Sequence, residues 1–318
     1  MPTGCVIGVD LGGTKVLAGA VDADLEVHHR AQRSVAGLSR EALLDTVAEA
    51  VIEASEAVGG ARGAGFGIPS LMDQARGVAV STVHLPIVEL PFAAIMAERL
   101  GLPVAVDNDG NCAMLAEHRA GAARGAQHAL LLTIGTGIGG GLIIDGRLVR
   151  GITGAAGEPG HMSIDEDGPP CHGACPGRGC LETYVSGTAL GEAGERAAAR
   201  DLDSPLALAR RAGHQITGAL VTELAFDGDR GALDAVTRMG EHLGVGLAGL
   251  INLLNPEVVV IGGGVIAAGD LLLDPARRVV AERALTPSRD VARIVPARFG
   301  AESGMLGAAV LAMSSSDR

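Results

Sequence analysis

The sequence is poor in lysine, in charged residues overall and in long apolar runs. Lys15 is the only lysine among 318 residues, and the formal net charge is −12. Because a nucleic-acid surface needs clustered lysine and arginine, this charge argues against nucleic acid as a partner. The longest uncharged apolar run, Ala129–Ile144, is only 16 residues long and contains five glycines. It is too short and too rich in glycine to span a membrane, so no membrane partner is expected.

The amino terminus lacks the basic segment and the cleavage site of a secretion signal, because MPTGCVIGVD leads directly into an apolar strand-like run. There are five cysteines, and three of them lie close together. This pattern fits a metal site in a reducing compartment better than a disulfide framework. The sequence therefore predicts a cytoplasmic protein. Its 47% apolar and 19% charged residues are typical of globular domains.

Strand-like and helix-like segments alternate along the chain, which predicts an α/β fold. Strands are expected at Cys5–Asp10, Val16–Val21 and Leu25–Arg30, and a helix is expected after Ser39, a favourable N-cap. Val9–Asp22 and Leu132–Asp145 share one plan, namely strand, glycine-rich turn, strand and acidic residue. Such a repeat indicates duplicated α/β units. We expect a smaller lobe of residues 1–120 with 301–318, and a larger lobe of residues 121–300.

Three glycine-rich turns that follow apolar runs are candidate nucleotide contacts. They are Asp10-Leu11-Gly12-Gly13-Thr14-Lys15, Thr133–Gly141 and Gly262-Gly263-Gly264. Backbone N–H groups in such turns can point at a phosphate, and Asp10 could hold Mg²⁺ through water. A plain tight hairpin is the alternative for the first turn, and a helix-packing turn is the alternative for the third. Together the turns indicate a nucleotide in a cleft between two halves.

Asp107-Asn108-Asp109 stands where a short apolar strand gives way to a helix. A carboxylate at such a turn can accept the proton of a substrate hydroxyl during phosphoryl transfer, and an asparagine suits a sugar hydroxyl. The alternative is a helix N-cap, because aspartate and asparagine are preferred capping residues.

The segment 157–182 carries metal-ligand types and two glutamates. His161, Cys171, Cys175 and Cys180 offer one imidazole and three thiolates, a set that suits structural zinc. His172 is a competing ligand. Glu158 and Glu182 flank the set and are not needed by the ion, so they are candidates for binding polyol hydroxyls.

These residues resemble the ROK family of sugar kinases and repressors, and within it the bacterial glucokinases that contain zinc. The resemblance covers essentially the whole chain and rests on VDLGGTK, GIPSLMD, VDNDGN, TIGTGIGGG, GEPGHM, CPGRGCLE and VVVIGGG. It implies a two-lobed, actin-like (RNase H-like) ATPase fold and a dimer or tetramer. It also implies ATP-dependent phosphorylation of glucose to glucose 6-phosphate, with Mg²⁺ and structural zinc.

The resemblance also implies roles for individual residues. Asp109 matches the catalytic base, and Asn108, Glu158, His161 and Glu182 match sugar contacts. The phosphate and adenosine contacts match the glycine-rich turns, namely Gly12, Gly13, Thr14, Thr133, Gly135, Thr136, Gly137 and Gly262–Gly264.

Four features depart from the family pattern. The gap between the first two cysteines is three residues and Pro176 replaces a glycine, so Cys171 departs from the usual spacing of the metal motif. Ser70 stands in place of a glycine, and Leu181 in place of an aromatic residue. These departures concern sugar specificity more than chemistry.

Other members of the same family remain as alternatives. One is a kinase for N-acetylmannosamine, N-acetylglucosamine or fructose, and another is a glucokinase that uses polyphosphate. A sugar-responsive repressor would need a DNA-binding helix-turn-helix before the first strand, where only four residues stand.

Overall fold

The computed structural model describes residues 4–82, 85–172 and 175–316. Strands and helices alternate in these ranges, which confirms the α/β class. The first eight strands are β1 (Val6–Leu11), β2 (Lys15–Val21), β3 (Val27–Ser34), β4 (Ala64–Ile68), β5 (Leu71–Asp73), β6 (Val78–Ser81), β7 (Val88–Leu90) and β8 (Val104–Asn108). The remaining strands are β9 (Ala129–Ile134), β10 (Ile138–Ile144), β11 (Arg147–Leu148), β12 (Val258–Gly262) and β13 (Arg293–Pro296).

The helices of the described ranges follow in chain order. They are α1 (Arg40–Glu56), α2 (Phe92–Leu100), α3 (Asp109–Ala120), α4 (Gly187–Arg200), α5 (Pro205–Arg211), α6 (Gly218–Phe226), α7 (Arg230–Leu254), α8 (Asp270–Arg283), α9 (Ser288–Val291) and α10 (Ser303–Ser316). Ser39 caps α1 as predicted, because its side chain accepts a hydrogen bond from the N–H of Ala42. No helix in the described ranges is long and apolar enough to cross a bilayer.

Two five-stranded sheets repeat one topology. Their orders are β3-β2-β1-β4-β8 and β11-β10-β9-β12-β13. In the first sheet the pairs β1–β2 and β2–β3 are antiparallel, whereas β1–β4 and β4–β8 are parallel. In the second, β10–β11 is antiparallel and the pairs of β12 with β9 and β13 are parallel. This repeat confirms the duplication that the two glycine-turn segments predicted.

The chain divides into two compact units. The first consists of Met1–Gln127, Gly141–Gly157 and Arg298–Arg318, and the second of His128–Gly140 and Glu158–Ala297. The division passes through β10, and residues 141–157 belong with the first unit, which nothing in the sequence indicated. The expected lobes, residues 1–120 with 301–318 and residues 121–300, stay a prediction, because contacts alone do not define bodies that move.

Several local expectations were wrong. The third strand begins at Val27 and not at Leu25, because Leu25 lies in a turn with φ +64°. Strand β10 starts at Ile138, so Gly139–Gly141 lie within a strand and not in a turn. A Cβ on Gly139 would lie 2.8 Å from Oγ1 of Thr133, so packing accounts for that glycine. The sheet of β5, β6 and β7 was missed because its strands are only three or four residues long.

Helix α10 positions the end of β1 in the first unit. It crosses the sheet so closely that a Cβ on Gly8 would lie 2.0 Å from the carbonyl oxygen of Met305. A Cβ on Gly65 of β4 would lie 1.8 Å from the carbonyl oxygen of Ala308. At the start of the helix, a Cβ on Gly304 would lie 2.8 Å from Cγ of Asp10. Glycine at these positions lets the helix backbone pack on the sheet.

Candidate active site

The turn between β8 and α3 carries the candidate base. Asn108 is the N-cap of α3, and its Oδ1 accepts hydrogen bonds from the N–H groups of Gly110 at 2.8 Å and Asn111 at 3.2 Å. The capping alternative therefore describes Asn108 correctly. Its Nδ2 donates to the carbonyl oxygen of Ser70 at 3.4 Å. Capping uses the acceptor of the amide, so it does not compete with a donor role towards a sugar hydroxyl.

Asp109 is the first residue of α3 and is half-buried. Its Oδ1 accepts a hydrogen bond from the N–H of Gly110 at 2.8 Å. Burial raises the pKa of this carboxyl above its ordinary value, and the hydrogen bonds from Gly110 and Asn108 lower it by a smaller amount. A carboxylate with a raised pKa is a better proton acceptor, which suits a general base.

Asp10, at the end of β1, is electrostatically coupled to Asp109. Burial and the charge of Asp109 raise the pKa of Asp10 to about 7, and the nearby Lys15 opposes this rise. A buried carboxylate that lies near a second negative charge is a favourable place for a cation. The first unit therefore brings Asp10, Lys15 and Asp109 together.

The first glycine turn is a tight hairpin between β1 and β2. The N–H of Gly12 donates to the carbonyl oxygen of Lys15 at 2.9 Å, which is the backbone that the hairpin alternative describes. Gly13 is half-buried, and the side chains of Thr14 and Lys15 are exposed. The turn is thus accessible to a ligand, and its role in phosphate binding stays a prediction.

The second unit contains a cavity of about 700 Å³ that is lined by parts of two predicted glycine turns. Gly135, Thr136 and Gly264 line it, and the N-terminus of α4 joins them. The N–H of Gly187 donates to the carbonyl oxygen of Gly135 at 2.7 Å, and Thr188 Oγ1 donates to the carbonyl oxygen of Thr136 at 3.0 Å. A helix N-terminus beside a glycine turn is a favourable environment for an anion.

The other glycine-turn residues have different surroundings. Thr133 is half-buried near the end of β9, and a Cβ on Gly137 would lie 2.3 Å from Oε2 of Glu182. Gly262 ends β12, and Gly263, with φ +84°, packs on Ile134 so closely that a Cβ would lie 2.3 Å from its carbonyl oxygen. Among the described lining residues, the third turn thus contributes only Gly264 to the cavity.

Sequence reasoning missed much of this cavity. Its wall includes polar residues of α4 and of the segment before α6, namely Thr188, Glu192, Glu195, Gln215 and Thr217. Helix α6 itself was not predicted. The available signal was Thr217, which caps α6 by accepting a hydrogen bond from the N–H of Leu220.

His161, Cys171, Cys175 and Cys180 come together in the second unit. One ligand atom from each lies within 4.8 Å of all the others. Cys171 Sγ is 3.5 Å from His161 Nδ1, and Cys175 Sγ is 4.0 Å from Cys180 Sγ. Zinc–sulfur bonds of about 2.3 Å require ligand atoms roughly 3.8 Å apart in a tetrahedron, so these residues fit the ion. His172, the competing candidate, is exposed and is not one of the four.

The local backbone forms this cluster despite the unusual cysteine spacing. The N–H of Cys171 donates to the carbonyl oxygen of Gly177 at 2.9 Å, and the N–H of Gly177 lies 3.4 Å from Cys175 Sγ. All five cysteines are free thiols. Burial and the neighbouring thiols raise the pKa of Cys171 to about 12 in the metal-free chain. A bound cation would therefore displace protons from the cluster.

The two glutamates of the loop have unequal surroundings. Glu182 Oε2 accepts a hydrogen bond from the N–H of Ile138 at 2.6 Å, so one of its oxygens is engaged by the protein. Glu158 begins the 3-10 turn Pro159–His161. A Cβ on Gly160 of that turn would lie 2.7 Å from the carbonyl oxygen of Ile138. The start of β10 thus anchors both Glu182 and the turn that follows Glu158.

Comparison with known proteins identifies the family. The family model described as the ROK family matches residues 6–315. The chain belongs to the ROK family. A glucokinase of Halalkalibacterium halodurans is 34% identical over 308 residues, which cover 95% of this chain and 92% of that one. The ROK glucokinase of Streptomyces griseus, solved with glucose and AMPPNP, superposes with a TM-score of 0.87 at 34% identity and covers 98% of this chain and 100% of that chain.

ROK regulators are also similar to this chain. The xylose repressor of Bacillus spizizenii is 28% identical over 308 residues, which cover 96% of this chain and 76% of the repressor. The fold is the actin-like ATPase fold of the ROK sugar kinases, as predicted.

Leu181, one of the departures from the ROK pattern, is fully buried. Its side chain would lie 2.9 Å from a Cβ on Gly246 of α7.

Proposed function

We propose that this protein is an ATP-dependent glucokinase that makes glucose 6-phosphate. Asp109 carries the proposal, because it is a half-buried carboxylate with a raised pKa, held at a strand-to-helix turn. The glucokinase relative from Halalkalibacterium halodurans covers nearly the whole chain, and the Streptomyces griseus neighbour was solved with glucose and AMPPNP. Both support glucose as the acceptor and ATP as the donor.

The reaction needs one proton acceptor and one anion site. The carboxylate of Asp109 accepts the proton of the 6-hydroxyl as that oxygen bonds to the γ-phosphorus, and the bond from the γ-phosphorus to the β,γ-bridging oxygen breaks to release ADP. We assign the sugar hydroxyls to Asn108, Glu158, His161 and Glu182. His161 would bind zinc through Nδ1 and leave Nε2 for the sugar.

The nucleotide is assigned to the glycine turns. The cavity lined by Gly135, Thr136 and Gly264 is large enough for a nucleoside, and the N-terminus of α4 favours the negative charge of a phosphate. Gly12, Gly13, Thr14 and Lys15 would contact further phosphate oxygens, and Thr133, Gly137, Gly262 and Gly263 would support the turns around the cavity.

Two metal ions belong to the proposal. Mg²⁺ would be held by Asp10 and would neutralise charge on the phosphates. Zinc would be structural, held by His161, Cys171, Cys175 and Cys180. The five free thiols favour a reducing compartment, so we propose a cytoplasmic enzyme. A homodimer or homotetramer is the proposed assembly.

The test is a coupled assay of the purified protein over a panel of hexoses, with ATP and polyphosphate as donors. We expect glucose with ATP to be the preferred pair. Replacing Asp109 with asparagine should lower kcat by about 10²- to 10⁴-fold, because the proton acceptor is lost while the shape is kept. Zinc content should stay unchanged, and the melting temperature should not fall, because the amide has no charge to bury.

Asp24→Asn, on an exposed turn, is the matched control and should keep full activity. If Asp109→Asn retained near-normal turnover, the assignment of the base would be wrong. Preference for N-acetylmannosamine, N-acetylglucosamine, fructose or polyphosphate would replace the proposed substrate pair.

A further inference from the structure

A fully buried carboxylate stands directly before the candidate base and has no role in the proposed chemistry. Asp107 lies in β8 and has no exposed surface. Its Oδ1 accepts hydrogen bonds from the N–H of Asn108 at 2.8 Å and from Nδ2 of Asn111 at 2.9 Å. The buried carboxylate thus holds in place the turn that carries Asn108 and Asp109.

Asp107 also binds two segments that are distant in the sequence. Gln74 Nε2 donates to Oδ1 at 2.9 Å, and Arg150 Nε donates to Oδ2 at 2.6 Å. Gln74 directly follows β5, and Arg150 begins the loop of residues 150–156. Four donors on two carboxylate oxygens therefore connect three segments of the first unit at one point.

The loop of residues 150–156 has few other means of keeping its shape. The N–H of Ala156 closes the loop by donating to the carbonyl oxygen of Arg150 at 3.1 Å. At the tip Ile152 is fully exposed, so burial of its own side chain does not hold the loop. Gly154 is buried, and a Cβ there would lie 1.9 Å from the carbonyl oxygen of Met72 and 3.3 Å from Cγ of Gln74. Arg150 and Gly154 thus anchor the loop: Arg150 binds Asp107 itself, and Gly154 packs beside Gln74, the other distant partner of Asp107.

Stability alone is a weak explanation for this arrangement. A buried ion pair contributes little net stability, because the cost of removing its charges from water offsets their attraction. Oδ1 of Asn111 is buried without a hydrogen-bond partner in the described chain, which adds a further cost. Ion pairs of this kind are better explained by the geometry that they specify. Here that geometry is the placement of the β8–α3 turn relative to the loop of residues 150–156, which is followed in the chain by Glu158.

We propose that Asp107 and Arg150 are a positioning pair that sets hexose affinity by holding the Asn108–Asp109 turn and the loop of residues 150–156 in register. The proposal rests on the proposed function, because the turn is assigned to the hexose. Neither side chain takes part in the chemical step. The pair affects the affinity for the hexose and leaves the affinity for the nucleotide unchanged.

Arg150→Ala tests the pair. We expect KM for glucose to rise between about 10- and 100-fold, because small displacements of binding groups have effects of that size, while KM for ATP changes less than about twofold. Because the Arg150 side chain is one-third exposed (31%), guanidinium ions at millimolar concentration should enter the gap and restore part of the glucose affinity. Arg150→Lys should recover only part, since an ammonium lacks the planar fork of donors.

Arg147→Ala, at an exposed arginine of β11, is the matched control and should keep both KM values and show no guanidinium effect. If Arg150→Ala does not fold, Asp107→Asn combined with Arg150→Met removes both charges together, and it should fold and still bind glucose weakly. Zinc content checks each variant for a gross structural change.

The outcomes separate this inference from the proposed function. If the unaltered protein phosphorylates no hexose, the proposed function fails. If it phosphorylates glucose and Arg150→Ala behaves like Arg147→Ala, only the positioning pair fails. Equal rises in KM for glucose and for ATP, with no response to guanidinium, would show a purely structural ion pair and overturn the inference.

Discussion

A carboxyl group with a pKa of about 7 changes its charge in the pH range in which most enzymes work. Asp10 is such a group, because burial and the charge of Asp109 both disfavour its ionised form. The folded protein therefore binds this proton more tightly than the unfolded chain does, for which the ordinary value is 3.8. Its effect on stability has a defined sign. The native state loses free energy of unfolding as the pH rises from about 4 towards 7, and the loss is complete above that range.

Asp10→Asn should therefore stabilise the protein while impairing activity. The amide has no charge to bury, so the gain in free energy of unfolding should be at least about 1 kcal/mol larger at pH 8 than at pH 5. Urea unfolding at the two pH values, without Mg²⁺ or nucleotide, measures the difference. Asp24→Asn should show no such pH dependence. An equal effect of Asp10→Asn at both pH values would mean that Asp10 ionises normally in the fold.

At the scale of elements, the loop of residues 157–182 shows how a short segment forms a site. Its described residues, 157–172 and 175–182, have little regular structure beyond the two 3-10 turns Pro159–His161 and Leu181–Thr183. Its order comes from the Cys₃His cluster and from contacts with the start of β10 and with α7. We infer that a bound metal would keep Glu158 and His161 in place for the sugar, whereas the cavity that we propose for the nucleotide has different lining residues.

Loss of the metal should consequently affect the two substrates unequally. Cys180→Ser removes the most deeply buried ligand, so zinc content should fall well below one ion per chain. KM for glucose should rise by at least about tenfold, because the metal no longer orders the loop, while KM for ATP stays near its original value. Elemental analysis and steady-state kinetics measure both effects. Cys5→Ala, outside the loop, should retain zinc. An unchanged glucose KM in zinc-free Cys180→Ser would contradict the inference that the metal orders the loop for the sugar.

At the scale of the whole molecule, the composition itself provides a probe. Lys15 is the only lysine, and its side chain is exposed beside the first glycine turn. In this sequence an acetylating reagent can therefore modify two primary amines, the side chain of Lys15 and the amino terminus. If the first turn binds phosphate, magnesium-AMPPNP at ten times its dissociation constant should slow acetylation of Lys15 by about tenfold. Peptide mass spectrometry follows both sites.

The amino terminus serves as the internal control of this experiment, and its acetylation rate should not change. Protection of both amines would indicate a general effect on reactivity. Lack of protection at Lys15 would remove the first turn from the nucleotide site and leave the cavity of the second unit as the remaining assignment.

The sequence by itself determined the local chemistry of this protein. The amino-acid sequence was enough to predict the order of strands and helices, the acidic turn at Asp109 and the four candidate zinc ligands. Such features depend on residues that are near one another in the chain. The structure then brought all four candidate zinc ligands together and showed one strand order in both five-stranded sheets, as the glycine-turn duplication predicted.

Only the tertiary structure decided which distant segments meet. Asp107 binds Gln74 and Arg150 across 33 and 43 residues, and no spacing in the sequence specifies such partners. Likewise, the cavity combines Gly135 with Gly264, and part of the run expected to be a glycine turn, Gly139–Gly141, is a packed strand. The physical reason is that hydrogen bonds and packing between distant segments depend on the whole fold and not on neighbouring residues.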